Sequence, residues 1–315
     1  MNALAGIGAA LYGAGWELRR RAWASGRSAP QRVDARVVSI GNITVGGAGK
    51  TTLVLHLAAR ARERALGAAV VCRRYRPGPG GEGDEERMYR AALGTTACHA
   101  GTSKLALARE AAAAGARLVL VDDGFSHWPL ARDADVVLLD STDLLGGGRL
   151  LPAGRLREPL RALQRATAIV VSRLGQGEDP APFFEVAGRY APAALLAAGR
   201  HRTSAVVDLK GSVAVASGRA RVLTATGNPG AVERSAREAG FADVELAAYR
   251  DHHWWTVEEA RRELARAGEA TLLLTRKDAV RWPLDPAEGR VAVLDVEWEW
   301  VAGGERLERH VFEGA

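Results

Sequence analysis

Short apolar runs recur along the chain, and segments with helical periodicity separate many of them. The runs that predict β-strands are 37–40, 68–72, 117–121, 135–140, 168–172, 221–225, 244–246, 272–275 and 291–300. The patterns that predict helices are 53–57, 106–114, 229–239 and 256–267. A strand covered on both faces reads as a continuous apolar run, and alternation of such strands with helices is typical of parallel sheets. The pattern therefore predicts an α/β fold with a doubly wound, mostly parallel sheet.

The regular alternation of predicted strands and helices stops near Ala193. An isolated strand is predicted at 203–209, and a fresh α/β series follows it. We therefore predict a boundary near residue 205. It separates a larger domain, 29–205, from a smaller α/β domain, 206–315, which includes a returning linker strand.

A glycine-rich segment joins the first predicted strand to the first predicted helix. It contains, in order, Gly41, Gly46, Gly47, Gly49, Lys50 and Thr51. Glycines let backbone N–H groups converge on a polyphosphate, and a helix N-terminus adds partial positive charge. Lys50 would reach the β- and γ-phosphates, and the Thr51 hydroxyl would ligate Mg²⁺. The residues predicted to bind the nucleotide are Gly46, Gly47, Ala48, Gly49, Lys50, Thr51 and Thr52.

The match to a phosphate-binding loop is imperfect, because Thr44 stands where the strict pattern has glycine. Gly46 and Gly47 are expected to serve instead. The alternative is a glycine-rich turn that only packs against a sheet. The strand before and the helix after the segment favour the phosphate loop.

Carboxylates follow the buried run 117–121, as Asp122 and Asp123. At the carboxyl end of a strand beside a phosphate loop, they are placed to organise Mg²⁺. The alternative is that they cap the next turn.

Two other segments carry candidate chemistry. The loop 77–86 is too rich in glycine and proline for regular structure, and it holds Asp84, which could simply be solvated. The motif 251–256, DHHWWT, holds adjacent histidines that are either a structural pair or a proton-transfer group beside a carboxylate. Between these two segments in the sequence, the loop 146–159 carries several arginines that are suited to binding an anionic group.

The N-terminal segment combines apolar residues at helical spacing with aromatic and basic residues. These are Leu4, Ile7, Leu11, Tyr12, Trp16, Leu18, Arg19, Arg20, Arg21, Trp23 and Arg27. The combination predicts that 1–28 is an amphipathic helix at a membrane surface. The alternative is a helix docked on the protein's own core. A secretory signal is disfavoured, because the charges follow the apolar segment.

Composition restricts the remaining classes of function. Of the 315 residues, 47% are hydrophobic, which is ample for a core, and two cysteines suit a reducing compartment. The net charge of +6 favours an anionic partner. No basic stretch is interleaved with stacking aromatics, so we expect no nucleic-acid partner.

Taken together, these segments resemble the tetraacyldisaccharide 4′-kinase family, the lipid A 4′-kinases of Gram-negative bacteria. The resemblance rests on GNITVGGAGKT from Gly41, VDDGFSHWPLARDADVVLLD from Val121, GGGRLLPAGRLREP from Gly146, TATGNP from Thr224, DHHWWT from Asp251 and LLTRKDAVR from Leu273. It covers nearly the whole chain. It implies a P-loop α/β domain joined by a β-ribbon to a smaller α/β domain.

The resemblance also implies a reaction and a set of roles. ATP, with Mg²⁺, would phosphorylate the 4′-hydroxyl of an acylated glucosamine disaccharide 1-phosphate at the cytoplasmic face of the inner membrane, without an obligate protein partner. The expected catalytic residues are Lys50, Asp84 and His252, the metal residues Thr51, Asp122 and Asp123, and the substrate-loop residues Arg157 and Glu158. His253 remains the alternative to His252. Asp84 and His252 are expected to come from different domains and to meet when those domains close.

The chain departs from the family pattern at several positions. Thr52, Arg74, Glu86, Ser126 and Arg276 stand where the family usually has Pro, Gly, Pro, Gln and Glu. None of these changes removes a proposed catalytic side chain.

Two rival functions are considered. A P-loop GTPase switch or metallochaperone would read guanine with Asn-Lys-x-Asp, whereas 275–278 reads Thr-Arg-Lys-Asp. A soluble small-molecule kinase would not need the N-terminal amphipathic segment.

Overall fold

The computed structural model describes residues 3–26, 29–214 and 218–315. These residues form two compact units. The first unit comprises Met1–Arg73, Leu93–His201 and Trp298–Ala315, and the second comprises Arg74–Ala92 and Arg202–Glu297. Arg27, one of the basic residues assigned to the N-terminal helix, lies outside the described residues.

The first unit contains most of the regular structure. Its helices are α1 (Ala3–Ala24), α2 (Lys50–Glu63), α4 (Lys104–Ala113), α5 (Ala181–Tyr190) and α9 (Gly304–Phe312), and α3 (Asp84–Leu93) ends at its border. Its strands are β1 (Arg36–Asn42), β2 (Ala68–Arg73), β3 (Cys98–Gly101), β4 (Leu118–Asp122), β5 (Ala134–Asp140) and β6 (Ala168–Ser172), with β7 (Leu195–Asp208) leaving it. Short 3₁₀ turns lie at Thr95–Ala97, Ser141–Asp143, Gly146–Gly148 and Leu160–Arg165.

The strands of the first unit follow the order β3-β2-β4-β1-β5-β6-β7. The paired strands from β3 to β7 run parallel. The chain visits one side of β1 through β2, β3 and β4 and then crosses to the other side for β5. The strand order therefore reverses at β1, and in open α/β sheets ligands bind outside the carboxyl ends of the strands at that point.

The second unit contains the remaining strands of the same sheet. Its strands are β8 (Arg219–Thr224), β9 (Asp243–Ala248), β10 (Thr271–Thr275) and the first part of β11 (Val291–Ala302), in the parallel order β11-β10-β8-β9. Its further helices are α6 (Pro229–Glu238), α7 (Val257–Ala267) and α8 (Arg276–Ala279), with a 3₁₀ turn at Pro286–Glu288. Val222, Phe241 and Leu273 are buried in its core.

Strands β7 and β11 each run from one unit into the other and are neighbours in the hydrogen-bonded order. Arg200 in β7 pairs with Glu299 in β11. The later residue Arg202 pairs with the earlier residue Glu297, so the two strands run in opposite directions. The pair is therefore an antiparallel ribbon beside parallel strands. The predicted fold class, a mostly parallel P-loop α/β sheet with a smaller α/β part and a β-ribbon, is confirmed.

The division of residues between the units differs from two contiguous domains. Residues 74–92 belong to the second unit, although they precede the boundary predicted near 205, and 298–315 belong to the first. The segment 74–92 is anchored in the second unit by contacts distant in sequence, such as the hydrogen bond from Arg87 Nη1 to the Val280 carbonyl, at 3.2 Å. Local patterning carries no signal for such contacts.

Helix α1 has two contrasting faces. On one face, Gly8 and Gly13 let it approach Pro152 and Leu150, where an added Cβ would come within 3.0 Å of either side chain. On the other face, Leu4, Ile7, Leu11 and Leu18 are 59–75% exposed. Within the described ranges of the chain, no helix is both long and apolar enough to span a bilayer.

Candidate active site

The glycine loop follows β1 directly and ends at the N-terminus of α2. Gly46 and Gly49 have φ values of +105° and +82°, which favour glycine. A Cβ on Gly49 would also lie 2.5 Å from the His201 ring. Gly49 caps α2 without a side-chain hydrogen bond, so the first N–H groups of the helix are left for a ligand. This geometry suits a phosphate.

A charged network surrounds Lys50. Its ammonium lies 2.9 Å from Asn42 Oδ1 and 3.5 Å from Asp123 Oδ1. Arg157 donates two hydrogen bonds to the Asp123 carboxylate, at 2.9 and 2.7 Å. Burial acts to raise the pKa of Asp123, but Arg157 and Lys50 hold it well below its usual range. The carboxylate therefore stays ionised and balances the cations around it.

Lys104 also joins this network, and it was not among the site residues predicted from sequence. It is the first residue of α4, is 7% exposed, and donates to the Asp123 carbonyl at 2.5 Å. Burial lowers its pKa, against the opposing charges of Asp123 and Asp122. The sequence does carry a signal for Lys104, because lysine is rare in this chain. Only four of the 43 basic residues are lysines: Lys50, Lys104, Lys210 and Lys277. Three of these four, Lys50, Lys104 and Lys277, lie beside Asp123 or Asp84.

The residues predicted to hold Mg²⁺ supply oxygen donors. Thr51 is the second residue of α2, and Asp122 ends β4, beside Ile40 of β1. Within residues 3–26, 29–214 and 218–315, no group of three or more His, Cys, Asp or Glu side chains could hold a metal by itself. Mg²⁺ is usually held by one or two carboxylates together with substrate phosphates. Thr51 and Asp122 fit such a site, and the carboxylate of Asp123 contacts Arg157 and Lys50.

In the second unit, Asp84 and His252 form a close pair. His252 Nδ1 lies 2.8 Å from Asp84 Oδ2. Asp84 begins α3 and is 2% exposed. Lys277 and Arg281 lie 3.7 and 3.6 Å from the same oxygen. Burial acts to raise the pKa of Asp84, but the hydrogen bond with His252 and the charge of Lys277 lower it to about 2.

His252 is held in an uncommon conformation. Its φ is +62°, a left-handed value that a non-glycine residue adopts only when its surroundings enforce it. The Tyr75 ring meets its imidazole edge to face, with centroids 5.3 Å apart. Its Nε2 lies 3.8 Å from Asp251 Oδ2. The hydrogen bond at Nδ1 and the Tyr75 contact thus fix the imidazole, whereas Nε2 is too far from Asp251 for a hydrogen bond.

His253 has different partners. It lies 3.0 Å from Glu259, which closes the capping box of α7 with Thr256. The structure therefore brings His252, and not His253, to Asp84. It also corrects one expectation, since Asp84 and His252 both belong to the second unit and no closure of two domains is needed to assemble them.

The loop after the 3₁₀ turn at Gly146–Gly148 holds the two residues expected to face substrate. Arg157 points its guanidinium at Asp123 and Asn42. Glu158 is 2% exposed and accepts hydrogen bonds from Ser126 and Arg165, each at 2.5 Å. The role of both in substrate binding stays a prediction.

The departures from the family pattern have partners of their own. Arg74 donates two hydrogen bonds to Glu86, both at 2.8 Å, and the Glu86 side chain is fully buried. These are two of the departing positions, and they pair with each other. Arg276 likewise pairs with Asp295, with both contacts at 2.5 Å.

Comparison with known proteins decides the family. The family profile described as tetraacyldisaccharide-1-P 4′-kinase matches residues 2–312. The chain belongs to the tetraacyldisaccharide-1-phosphate 4′-kinase family. It is 37% identical to the tetraacyldisaccharide 4′-kinase of Anaeromyxobacter sp. (strain Fw109-5), covering 94% of this chain and 87% of that protein. It is 31% identical to the protein of the same name from Halothermothrix orenii, covering 81% and 76%.

A solved structure agrees in fold. The LpxK protein of Aquifex aeolicus, described as an "apo" form in complex with ATP, superimposes with a TM-score of 0.73 at 22% identity. The match covers 97% of this chain and 96% of that one. The predictions of family, kinase activity and ATP as cofactor are confirmed. This tetraacyldisaccharide 4′-kinase family member is an ATP-dependent enzyme of lipid A biosynthesis, and the GTPase alternative is not favoured.

Proposed function

We propose that Asp84 and His252 activate the 4′-hydroxyl of a tetraacyldisaccharide 1-phosphate for attack on the γ-phosphate of ATP. The observation that carries this proposal is their 2.8 Å contact in a buried setting. A sugar hydroxyl is a poor nucleophile near neutral pH, and a positioned base accelerates such reactions. Asp84 alone would be a weak base, because its pKa is about 2.

The imidazole is therefore the better place for the proton. With Nδ1–H donated to Asp84, Nε2 can accept the hydroxyl proton, and the carboxylate stabilises the imidazolium that results. Lys277 and Arg281 keep Asp84 ionised throughout. The two residues thus act as one unit, and the proton remains on the pair until it is lost to water.

The first unit binds the nucleotide in this proposal. The glycine loop and the N-terminus of α2 bind the phosphates, with Lys50 on the transferred group. Thr51 and Asp122 hold Mg²⁺, which when bound neutralises charge on the phosphates. Asp123 keeps Arg157 in place and balances the charge of Lys50 instead of ligating the ion.

The exposed stripe of α1 attaches the enzyme to a lipid surface. Leu4, Ile7, Leu11 and Leu18 fall on one face of the helix, and Gly13, which docks against Leu150, lies on the opposite side. An acylated disaccharide resides in a membrane, so the enzyme works peripherally, at the cytoplasmic face of the inner membrane where ATP is present. Neither nucleic acid nor an obligate protein partner takes part.

One experiment tests the catalytic proposal with a matched control. Transfer of γ-phosphate from ATP and from GTP to the lipid disaccharide is measured for the wild type, His252→Ala and His253→Ala. We expect ATP to be preferred, His252→Ala to lose at least about a hundredfold in kcat, and His253→Ala to keep its kcat while its Tm falls. Equal losses in the two histidine variants would refute the assignment.

The membrane proposal has a separate test. Leu11→Glu and Leu18→Glu place charges on the exposed stripe, and sedimentation with anionic vesicles is compared with that of Val213→Glu, an exposed residue of the second unit. Loss of binding only in the α1 variants is expected. Unchanged sedimentation would contradict the role of the stripe.

A further inference from the structure

Asn42 ends β1 and is completely buried, and its side-chain amide has an unusual number of partners. Its Nδ2 donates to the Thr44 carbonyl and to Thr44 Oγ1, at 3.0 and 3.1 Å. Its Oδ1 accepts from Lys50, at 2.9 Å, and from Arg157. Both ends of the amide are therefore engaged.

The orientation of this amide is fixed by its surroundings. A flipped amide would turn its NH₂ group toward two cations and its oxygen toward the Thr44 carbonyl, which is unfavourable on both sides. Arg157 reinforces the arrangement through a further hydrogen bond to the Asn42 carbonyl, at 3.0 Å. Asn42 thus offers Lys50 an acceptor at one defined position.

We propose that Asn42 is a positioning residue for Lys50, which it holds on a neutral oxygen until nucleotide phosphate takes its place. The proposal rests on the phosphate role of Lys50 given above. Asp123, the other acceptor, lies farther from the ammonium, at 3.5 Å, and is engaged by Arg157. Hydrogen bonds between charged groups are stronger than those to a neutral partner. A lysine held by an amide is therefore released more readily to phosphate than one held in a closed ion pair.

The proposal predicts different effects for two substitutions. Asn42→Asp keeps the size of the side chain but converts the acceptor to a carboxylate facing Lys50 and Arg157. We expect it to weaken ATP binding by about tenfold or more, through a tighter lysine pair and repulsion of phosphate. Asn42→Ala removes the acceptor, and we expect kcat/KM to fall about tenfold.

A double-mutant cycle distinguishes positioning from a merely structural role. Kinetics, ATP affinity and Tm are measured for Asn42→Ala, Lys50→Ala and the double variant, with Ser39→Ala as a control buried in the same strand. If Asn42 acts through Lys50, its substitution changes kcat/KM less than about twofold once Lys50 is absent. The control is expected to leave kcat/KM unchanged.

The outcomes separate this proposal from the one on which it rests. Multiplicative losses in the cycle would overturn the positioning role while leaving Lys50 essential. Near-normal turnover of Lys50→Ala would instead overturn the phosphate role of the loop lysine. If Asn42→Ala does not fold, ATP affinity of Asn42→Asp decides, and wild-type affinity in that variant would overturn the proposal.

Discussion

The two charged clusters of this protein are built alike but have different capacities. Each is centred on an aspartate, Asp123 in the first unit and Asp84 in the second, whose pKa is lowered by cations nearby. Asp123 is engaged by an arginine, which keeps its proton at all accessible pH values. Asp84 contacts His252, whose imidazole has one ring nitrogen that can donate a proton and one that can accept it.

The difference shows what each cluster can do. Around Asp123, the guanidinium of Arg157 is held by two hydrogen bonds, and the movable member is the ammonium of Lys50. That arrangement can receive a phosphate but cannot take up a proton. Around Asp84, the cations only hold the carboxylate ionised, and His252 is the group whose charge changes. The residue that contacts each aspartate therefore decides whether its cluster can stabilise phosphate or transfer a proton.

The comparison is tested most severely by removing charged side chains from the phosphate site of the first unit. Lys50→Ala and Asp122→Ala are each expected to lose about a thousandfold in kcat, because charge on the transferring phosphoryl group is stabilised by the loop lysine and Mg²⁺. Steady-state kinetics at saturating ATP measure the loss. Near-normal turnover in both variants would contradict the phosphate role of this cluster.

The second cluster should respond as one unit. Asp84→Ala, His252→Ala and the double variant are expected to lose similar amounts of kcat, about a hundredfold, with little change in ATP affinity. Single-turnover rates and ATP titrations provide the measurements. Losses that multiply would mean that the two residues act independently.

The lowered pKa of Asp84 also makes a prediction about stability. It falls from an ordinary value of 3.8 to about 2. The stabilisation of about 2 kcal/mol is fully present above the unfolded-state pKa and is lost as pH falls toward the folded-state value. Urea unfolding at about pH 6 and about pH 3 should therefore show a smaller change for Asp84→Asn than for the wild type. An identical change in both proteins would contradict the shift.

An effect of similar size concerns Arg74 and Glu86, the pair of departures near Asp84. Arg74→Gly leaves the buried Glu86 without its two strongest hydrogen bonds and should destabilise the protein by about 2 kcal/mol. Adding Glu86→Pro, the residue typical of the family, should recover much of that loss. Strictly additive free energies of unfolding would show that the two positions are not coupled.

Prediction from sequence succeeded best where the interacting residues are close together in the chain. The glycine loop and the strand ending in Asp122 have local signatures, since β1, the loop and α2 are consecutive in the chain. The strand series likewise led to the correct fold class. His252 could be chosen over His253 only through resemblance to a family.

Long-range pairing was not predictable in the same way. Asp84 and His252 are 168 residues apart, and no local pattern assigns Asp84 to the second unit. Lys104 lies just before the helix predicted at 106–114, and only the packing of α4 on the sheet brings it to the Asp123 carbonyl. The pairing of Arg74 with Glu86 explains two departures that looked unrelated in sequence.

The interface between α1 and the rest of the first unit has a consequence for inhibition. Tyr12 Oη donates to the carbonyl of Arg157, at 2.8 Å, and Arg157 in turn contacts Asn42 and Asp123. A small molecule wedged beneath the helix would strain these contacts without occupying the nucleotide pocket. Gly13→Ala imitates such a wedge, since its Cβ would press on Leu150. Weakened ATP affinity in that variant would show that this interface is coupled to the nucleotide site, so that ATP would in turn weaken a ligand bound beneath the helix by the same factor.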